Sequence, residues 1–305
     1  MENKSPKFSI LISTKNRKDD LLFTLNKIQN LINNNQVECI VYDDGSSDGT
    51  HESVKNLFPQ IKLLKNEVSK GYIYCRNFML NTTKADYAIS LDDDAHFVTE
   101  NSLEIIEKYF TKNKKCGLIA FRLFWGRQLP ESIQTNELPQ RVKAFVGCGH
   151  VWRMKAWNEI PNYPEWFVFY GEEEFGSYNL LKKNWEIIYH PSVLVQHRVD
   201  FKTRKKDSDY QRRTRMSLRS GLYLFFLFLP FKTALRNIFY SLAMQIKNKV
   251  LKGDVLATLG FFQAVFDLLI NIPRLILKRN GLTLNEYSIF TELPNAKIYW
   301  KPNES

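Results

Sequence analysis

The sequence is poor in cysteine and in long apolar runs, and each shortage closes off a class of protein. Only four cysteines occur among 305 residues, Cys39, Cys75, Cys116 and Cys148. None stands in a Cys-x-x-Cys pair, and three fall in apolar or strand-like runs. They read as reduced core residues of a cytosolic protein rather than a disulfide framework. In the last third of the chain the longest uncharged run, Ser220–Phe231, has 12 residues, too short to cross a bilayer as a helix. Met1–Lys7 is polar and leads directly into a strand-like segment, so no signal region is expected. There is no internal repeat and no low-complexity tract.

What is present describes a globular chain. Hydrophobic residues make up 44% and charged residues 25%, proportions of a folded protein. Aromatics at 14% and this length allow a sizeable core. One large domain with an appendage, or two small domains, would fit. The net charge of +11 is unevenly placed. Residues 1–201 hold 25 Lys/Arg and 25 Asp/Glu, while residues 202–305 hold 18 against 7. A neutral front and a basic rear predict a catalytic part, 1–205, and a docking part, 206–305, whose surface suits anionic lipid or nucleic acid.

The front alternates strand and helix signals. Phe8–Ser13, Val37–Tyr42, Ile61–Leu64 and Tyr87–Leu91 read as strands. Leu21, Leu25, Ile28 and Ile32 mark one helical face between the first two. Alternation of this kind predicts an α/β domain with a mostly parallel sheet, which binds ligands at the carboxyl ends of its strands. From Gly117 to Met154 the stretches become longer and β-like. A helix is expected after Glu172, then strands at Glu186–Tyr189 and Val193–Gln196.

Three acidic clusters fall where such a sheet would bind. Asp92-Asp93-Asp94 follows an apolar strand, and adjacent carboxylates suit a hard cation such as Mg²⁺ or Mn²⁺. A solvated acidic turn explains the triplet equally well. Asp43-Asp44-Gly45-Ser46 also ends a strand and reads either as a ligand-approaching loop or as a helix cap. Glu172-Glu173-Glu174 opens a helix, where the helix dipole alone would favour it. A carboxylate there can also act as a general base. His197 ends an apolar strand, and a lone histidine in that setting is more often structural than a ligand.

Taken together, SILISTKNR, VYDDGSSDGT, KNEVSKGYIYCRN, AISLDDDAHF, GCGHVWRMKAW and YGEEEF followed by WEIIYHPSVLVQH resemble the family 2 glycosyltransferases, in order and over roughly residues 8–198. The resemblance implies the GT-A nucleotide-diphospho-sugar transferase fold, Rossmann-like with a C-terminal helical extension, and an inverting, metal-dependent transfer. By position, Thr14, Asp43 and Asp44 would hold base and ribose, and Arg76 the nucleotide or its diphosphate. Asp92 would reach the ribose, with Asp93 beside it in the nucleotide-sugar site. Asp94 and His197 would ligate Mn²⁺ or Mg²⁺, and Glu173 would stand at the base position, with Glu172 the second choice. Trp152 and Arg153 fall in the acceptor-side segment and are candidate substrate contacts.

The sequence departs from the family pattern in places. Glu173 stands where Asp is usual, so the longer reach keeps Glu172 and Glu174 in contention. Phe175 replaces a common Asp, Lys15 a frequent aromatic and Asn184 a usual Gly. His96, His150 and His190 carry no spacing argument and read as structural.

The rear carries amphipathic signals. Leu235, Ile238, Phe239, Leu242, Ile246 and Val250 fit one helical face, and Val255, Leu259, Phe262, Phe266 and Leu269 another, which Pro273 should interrupt. Lys/Arg flanks on such helices suit an anionic membrane surface, with GLYLFFLFLPF as a possible shallow hairpin in the bilayer; an ordinary packed subdomain is the alternative. The expectation is a cytoplasmic enzyme, peripheral at the inner face of the membrane. Its partners would be a UDP-, dTDP- or GDP-linked sugar and a saccharide or lipid-linked saccharide acceptor, with no nucleic acid. A non-catalytic nucleic-acid-binding protein using residues 202–219 is the competing reading, and a sugar-nucleotide-forming nucleotidyltransferase a third.

Overall fold

The computed structural model describes residues 5–199 and 209–300. The chain opens with β1 (Phe8–Thr14), α1 (Lys18–Lys27), α2 (Gln29–Ile32), β2 (Val37–Asp43), α3 (Thr50–Leu57), β3 (Lys62–Lys65), α4 (Tyr72–Thr82) and β4 (Tyr87–Asp92). These four strands lie parallel in the order β3-β2-β1-β4. β1 is buried along nearly its whole length because helices cover both faces of the sheet. Its alternate residues divide between two cores. Leu11 joins Ile40, Tyr42 and Ala88 on one side. Ile10 and Ile12 join Val41, Ile89, Leu21 and Leu25 on the other.

The second half of the sheet is mixed. It comprises β5 (Ala95–Phe97), β6 (Cys116–Trp125), β7 (Gln140–Val142), β8 (Gly149–Arg153) and β9 (Glu186–His197). Their helices are α5 (Ser102–Lys112), α6 (Met154–Asn158) and α7 (Glu172–Lys182). β8 runs antiparallel between β4 and β6, while β9 pairs parallel to β6. The two strands expected at 186–189 and 193–196 are one. β9 absorbs Pro191 where its register against β6 shifts between Phe121 and Arg122, since a proline cannot donate to the ladder but fits a bulge.

Strand register sets the site. Thr14 lies opposite Asp43, and Ser13 opposite Asp92, at one edge of the sheet. Ala95 and Trp125 both lie opposite His197, which brings the end of β9 to the turn after β4.

The rear consists of α8 (Tyr210–Phe228), α9 (Phe231–Gln245), α10 (Val255–Lys278), α11 (Leu284–Glu292) and β10 (Ile298–Trp300), which pairs with β6. The GLYLFFLFLPF stretch forms the end of α8 and the turn into α9, and most of it packs inward. Leu222, Tyr223, Leu224, Leu227 and Phe228 are buried, most of them in the same core as Trp152 and Trp157 of the front. α10 runs on past Pro273 instead of ending there. Pro273 is exposed, so the carbonyl it leaves without a donor lies on the solvent side. The predicted apolar face, Val255, Leu259, Phe262, Phe266 and Leu269, is exposed, while Ala257, Gly260, Phe261, Ala264 and Asp267 are buried against the protein. α10 is also long and apolar enough to cross a membrane by length and composition, where shorter uncharged runs had pointed to none. Its length comes from tolerating Asp267 and Pro273 within one helix.

The proposed boundary at 205/206 and the first part of the basic 202–219 segment lie outside the described residues. Three of the arginines described there bond within the fold. Arg213 pairs with Asp209 at 2.7 Å, Arg215 binds Asp267 through two bonds of 2.7 Å, and Arg219 donates to the carbonyl of Phe167.

Candidate active site

A cavity of about 500 Å³ opens at the carboxyl edge of the strands. Thr14, Arg17, Asp44, Asp92, Asp93, Asp94, Glu172, Glu173 and His197 all line it. Residues more than 180 positions apart in the sequence thus share one space, as strand register requires.

Asp92, Asp94 and His197 each offer a ligand atom, and these atoms lie within 4.8 Å of one another. Asp92 ends β4, Asp94 occupies the following turn, and His197 ends β9. His197 Nε2 is 3.0 Å from Asp94 and 3.9 Å from Asp92. Two carboxylates and an imidazole form a donor set suited to Mn²⁺ or Mg²⁺. Burial opposes ionisation of Asp94, but the bond and charge of His197, joined by Arg17 at 2.7 Å, hold its carboxyl well below the ordinary range. Arg76 donates to Asp92 at 2.8 Å and Tyr72 at 2.9 Å, fixing the carboxylate from behind. Asp92 therefore stands in the metal cluster, where the resemblance had given it to the ribose.

Asp93 behaves differently. It accepts from Thr14 at 2.9 Å and lies 3.3 Å from Arg17. Burial pushes its pKa up to about 7, against the pull of Arg17. Asp44 lines the cavity while accepting from Asn66, Ser69 and the amides of Lys70 and Gly71, all between 2.6 and 2.9 Å. Burial resists its ionisation, yet these four bonds lower its pKa; the carboxylate orders the 69–71 loop along the cavity wall. Asp43 lies behind this wall, wholly buried, with one oxygen bonded to the amide of Ser46. Arg76 is also set back, 3% exposed, with one nitrogen shared between Asp92 and the carbonyl of Gly147. Arg76 thus acts on the cavity through Asp92 and Gly147, which line it.

The start of α7 supplies the opposite carboxylates. Gly171, at φ +92°, turns the chain into the helix, and Glu172 and Glu173 enter the cavity while Glu174 does not border it. Glu173 accepts from the amide of Gly147 at 3.2 Å. Burial raises the Glu173 pKa well above the usual carboxylate value, and repulsion from Glu172 and Glu174 adds to it. Burial likewise pushes Glu172 to about 7, although Arg76 opposes the shift. A buried carboxylate with a raised pKa suits a general base.

Two candidates lie elsewhere. Trp152 is fully buried against Phe145, Trp157 and Tyr163. Arg153 donates to the carbonyls of Phe110, Asn113 and Cys116, closing the end of α5. Their shared segment pointed to the acceptor side, but β8 is a central strand and turns Trp152 into the core. His96, His150 and His190 are buried, and burial lowers the pKa of each, as structural histidines allow. Three contributors were not singled out: Arg17, Tyr72 and Gly147. Arg17 and Tyr72 stand inside the quoted segments SILISTKNR and KNEVSKGYIYCRN, and Gly147 precedes Cys148 in GCGH.

The sequence matches the family model for glycosyl transferase family 2 over residues 9–170. No curated protein matches the chain. Among solved structures, a mannosyltransferase from Pyrobaculum calidifontis in complex with GDP-Man and Mn²⁺ is similar at 13% identity and TM-score 0.56, covering 95% of this chain and 80% of that one. GalNAc-T7 with UDP, GalNAc and Mn²⁺ aligns at 13% identity and TM-score 0.60, covering 90% and 58%. TarS 1-349 from S. aureus in complex with UDP-GlcNAc aligns at 17% identity and TM-score 0.56, covering 89% and 83%. The fold is of the GT-A type. The chain belongs to glycosyl transferase family 2 and is a metal-dependent glycosyltransferase.

Proposed function

We propose that this enzyme transfers a sugar from a nucleoside-diphosphate donor to the hydroxyl of a lipid-linked saccharide, with inversion at the anomeric carbon. The observation that carries the reading is one cavity holding the Asp92, Asp94 and His197 cluster together with the raised-pKa carboxylate of Glu173. A divalent cation on that cluster supplies charge stabilisation for a departing diphosphate. Arg76 and Tyr72 orient Asp92, and Arg17 steadies Asp94. Glu173 accepts the proton of the attacking hydroxyl, and one direct displacement inverts the configuration, as in inverting glycosidases.

Similar structures carry GDP-Man in one case and UDP-GlcNAc in another, so guanine and uracil donors are both compatible with the fold. The basic, apolar rear supports an acceptor held at a membrane and an enzyme peripheral to its cytoplasmic face. A thermal-shift screen of UDP-, dTDP- and GDP-sugars with Mn²⁺ or Mg²⁺ identifies the donor. Radiolabelled transfer to lipid extracts then tests the acceptor. Stabilisation by no nucleotide sugar, with or without metal, overturns the donor reading; transfer to soluble saccharides alone overturns the lipid-linked acceptor.

A further inference from the structure

Helix α10 exposes an unbroken apolar stripe. Val255, Leu259, Phe262, Phe266 and Leu269 recur at intervals of four and three, and Phe262 and Phe266 are each 62% exposed. Ile276 and Leu277 extend the apolar surface to the end of the helix. Isolated exposed apolar residues are ordinary, but a continuous row along about 36 Å of helix marks a surface made to be covered. Only 28% of the most apolar stretch of α10 is buried, which sets it apart from a core helix.

The opposite side of α10 is committed to the protein. Gly260 lies so close to α8 that a Cβ would come within 2.9 Å of the Gln211 carbonyl oxygen. Asp267, 5% exposed, takes two bonds from Arg215, and its carbonyl accepts from Tyr223. A spanning α10 would abandon these contacts and leave the Asp267 carboxylate in hydrocarbon without its Arg215 partner. Its geometry is that of a helix lying flat, one face on α8 and the other outward.

Charge identifies the occupant. Between Phe231 and Lys278 the sequence has two carboxylates, Asp254 and Asp267, and both accept internal hydrogen bonds. Lys232, Arg236, Lys247, Lys252 and Lys278 are exposed over the same span. An exposed apolar stripe in a segment whose exposed charges are all positive complements an anionic bilayer interface.

We infer that the exposed face of α10 is the surface by which this enzyme lies on an anionic membrane, immersed to the depth of one helix face and not spanning. The inference rests on the lipid-linked acceptor reading for its purpose, and it explains how the acceptor reaches the site. Arg212 and Arg213 of α8 line the cavity, while α10 packs on the same helix turns. One helix, about 10 Å across, thus separates that wall from the membrane.

The full-length chain should float with vesicles of phosphatidylcholine containing phosphatidylglycerol and remain behind with pure phosphatidylcholine. Alkaline carbonate should extract it. The Phe262→Glu/Phe266→Glu double variant should bind vesicles about a hundred-fold more weakly, while Phe262→Leu/Phe266→Leu binds as the parent does. Donor-dependent thermal stabilisation without vesicles checks that both variants keep the folded site. Resistance to carbonate overturns the flat placement. Wild-type chain that ignores anionic vesicles, or that buries the stripe in a dimer seen by sedimentation, overturns the membrane assignment. Either failure leaves donor stabilisation intact if the enzyme reading is right, so the two readings fail separately.

Discussion

At the scale of single residues, the site divides into groups that hold charge and groups that move a proton. Asp94 sits between His197 and Arg17, and its conversion to Asn removes a metal ligand while keeping its volume. Asp94→Asn should abolish metal-dependent turnover and weaken Mn²⁺ binding in a direct titration. Unchanged binding would remove Asp94 from the metal site. Glu173→Gln should bind donor normally and lose transfer by about 10²- to 10⁴-fold. Normal transfer by that variant would move the base to Glu172. The direction of the pH effect follows from the shift. A base works deprotonated, and Glu173 holds its proton above the usual carboxylate range. The acidic limb of kcat/KM should therefore lie above the ordinary Glu value, with Glu172 and Glu173 titrating as a pair. The same burial has a stability consequence at Glu172, raised to about 7. Its folded-state stabilisation of the protonated form is present at low pH and is lost as pH rises through 7. Glu172→Gln should thus gain stability relative to the parent above pH 7, measured by denaturant unfolding at two pH values.

Elements show why some of this was legible in the sequence. The first two acidic clusters end parallel strands, which must bring their carboxyl ends together, so alternation placed them side by side. Glu172, Glu173 and Glu174 open α7 in the mixed half of the fold, and only the family resemblance put them with the others. Direction of individual side chains did not follow. Trp152 shares its segment with the cavity-lining Gly147 and Cys148, but β8 pairs on both sides and its alternate residues point into packed cores. The stripe on α10 has a helical period that any buried helix would share, and only the three-dimensional partner shows which face is covered. Gly147 was hidden for a third reason. Its role is the absence of a side chain: a Cβ there would lie 2.6 Å from Glu173 Oε1. Gly147→Ala must push the candidate base aside. It should lower the transfer rate about 100-fold, as a misplacement near 1 Å does, while the KD for donor measured by calorimetry stays within a few-fold. Equal loss of donor affinity would show that the loop serves the nucleotide instead of the base.

For the molecule as a whole, the cavity is a joint between elements distant in the sequence. Thr14 comes from β1, Asp92 from β4, His197 from β9 and Glu173 from α7, with α8 closing one side. No one of these can be displaced without opening the cavity. A ligand that contacts several of them binds the folded chain and not the unfolded one, so it stabilises the fold by mass action. The acidic lining gives this a specific form. Arg17, Arg212 and Arg213 also line the cavity, but at the Asp92, Asp94 and His197 cluster the carboxylates repel a diphosphate, and a divalent cation held there would turn that repulsion into attraction. Nucleoside diphosphate and metal should therefore act together. Saturation at about a hundred times KD corresponds to about 2.7 kcal/mol, or a rise in Tm of roughly 4 °C for a chain of this size. Diphosphate alone in the presence of a chelator should give a small fraction of that rise, as should metal alone. Equal shifts with and without chelator would mean that the nucleotide binds without the cation, and would remove the Asp92, Asp94 and His197 cluster from the donor site.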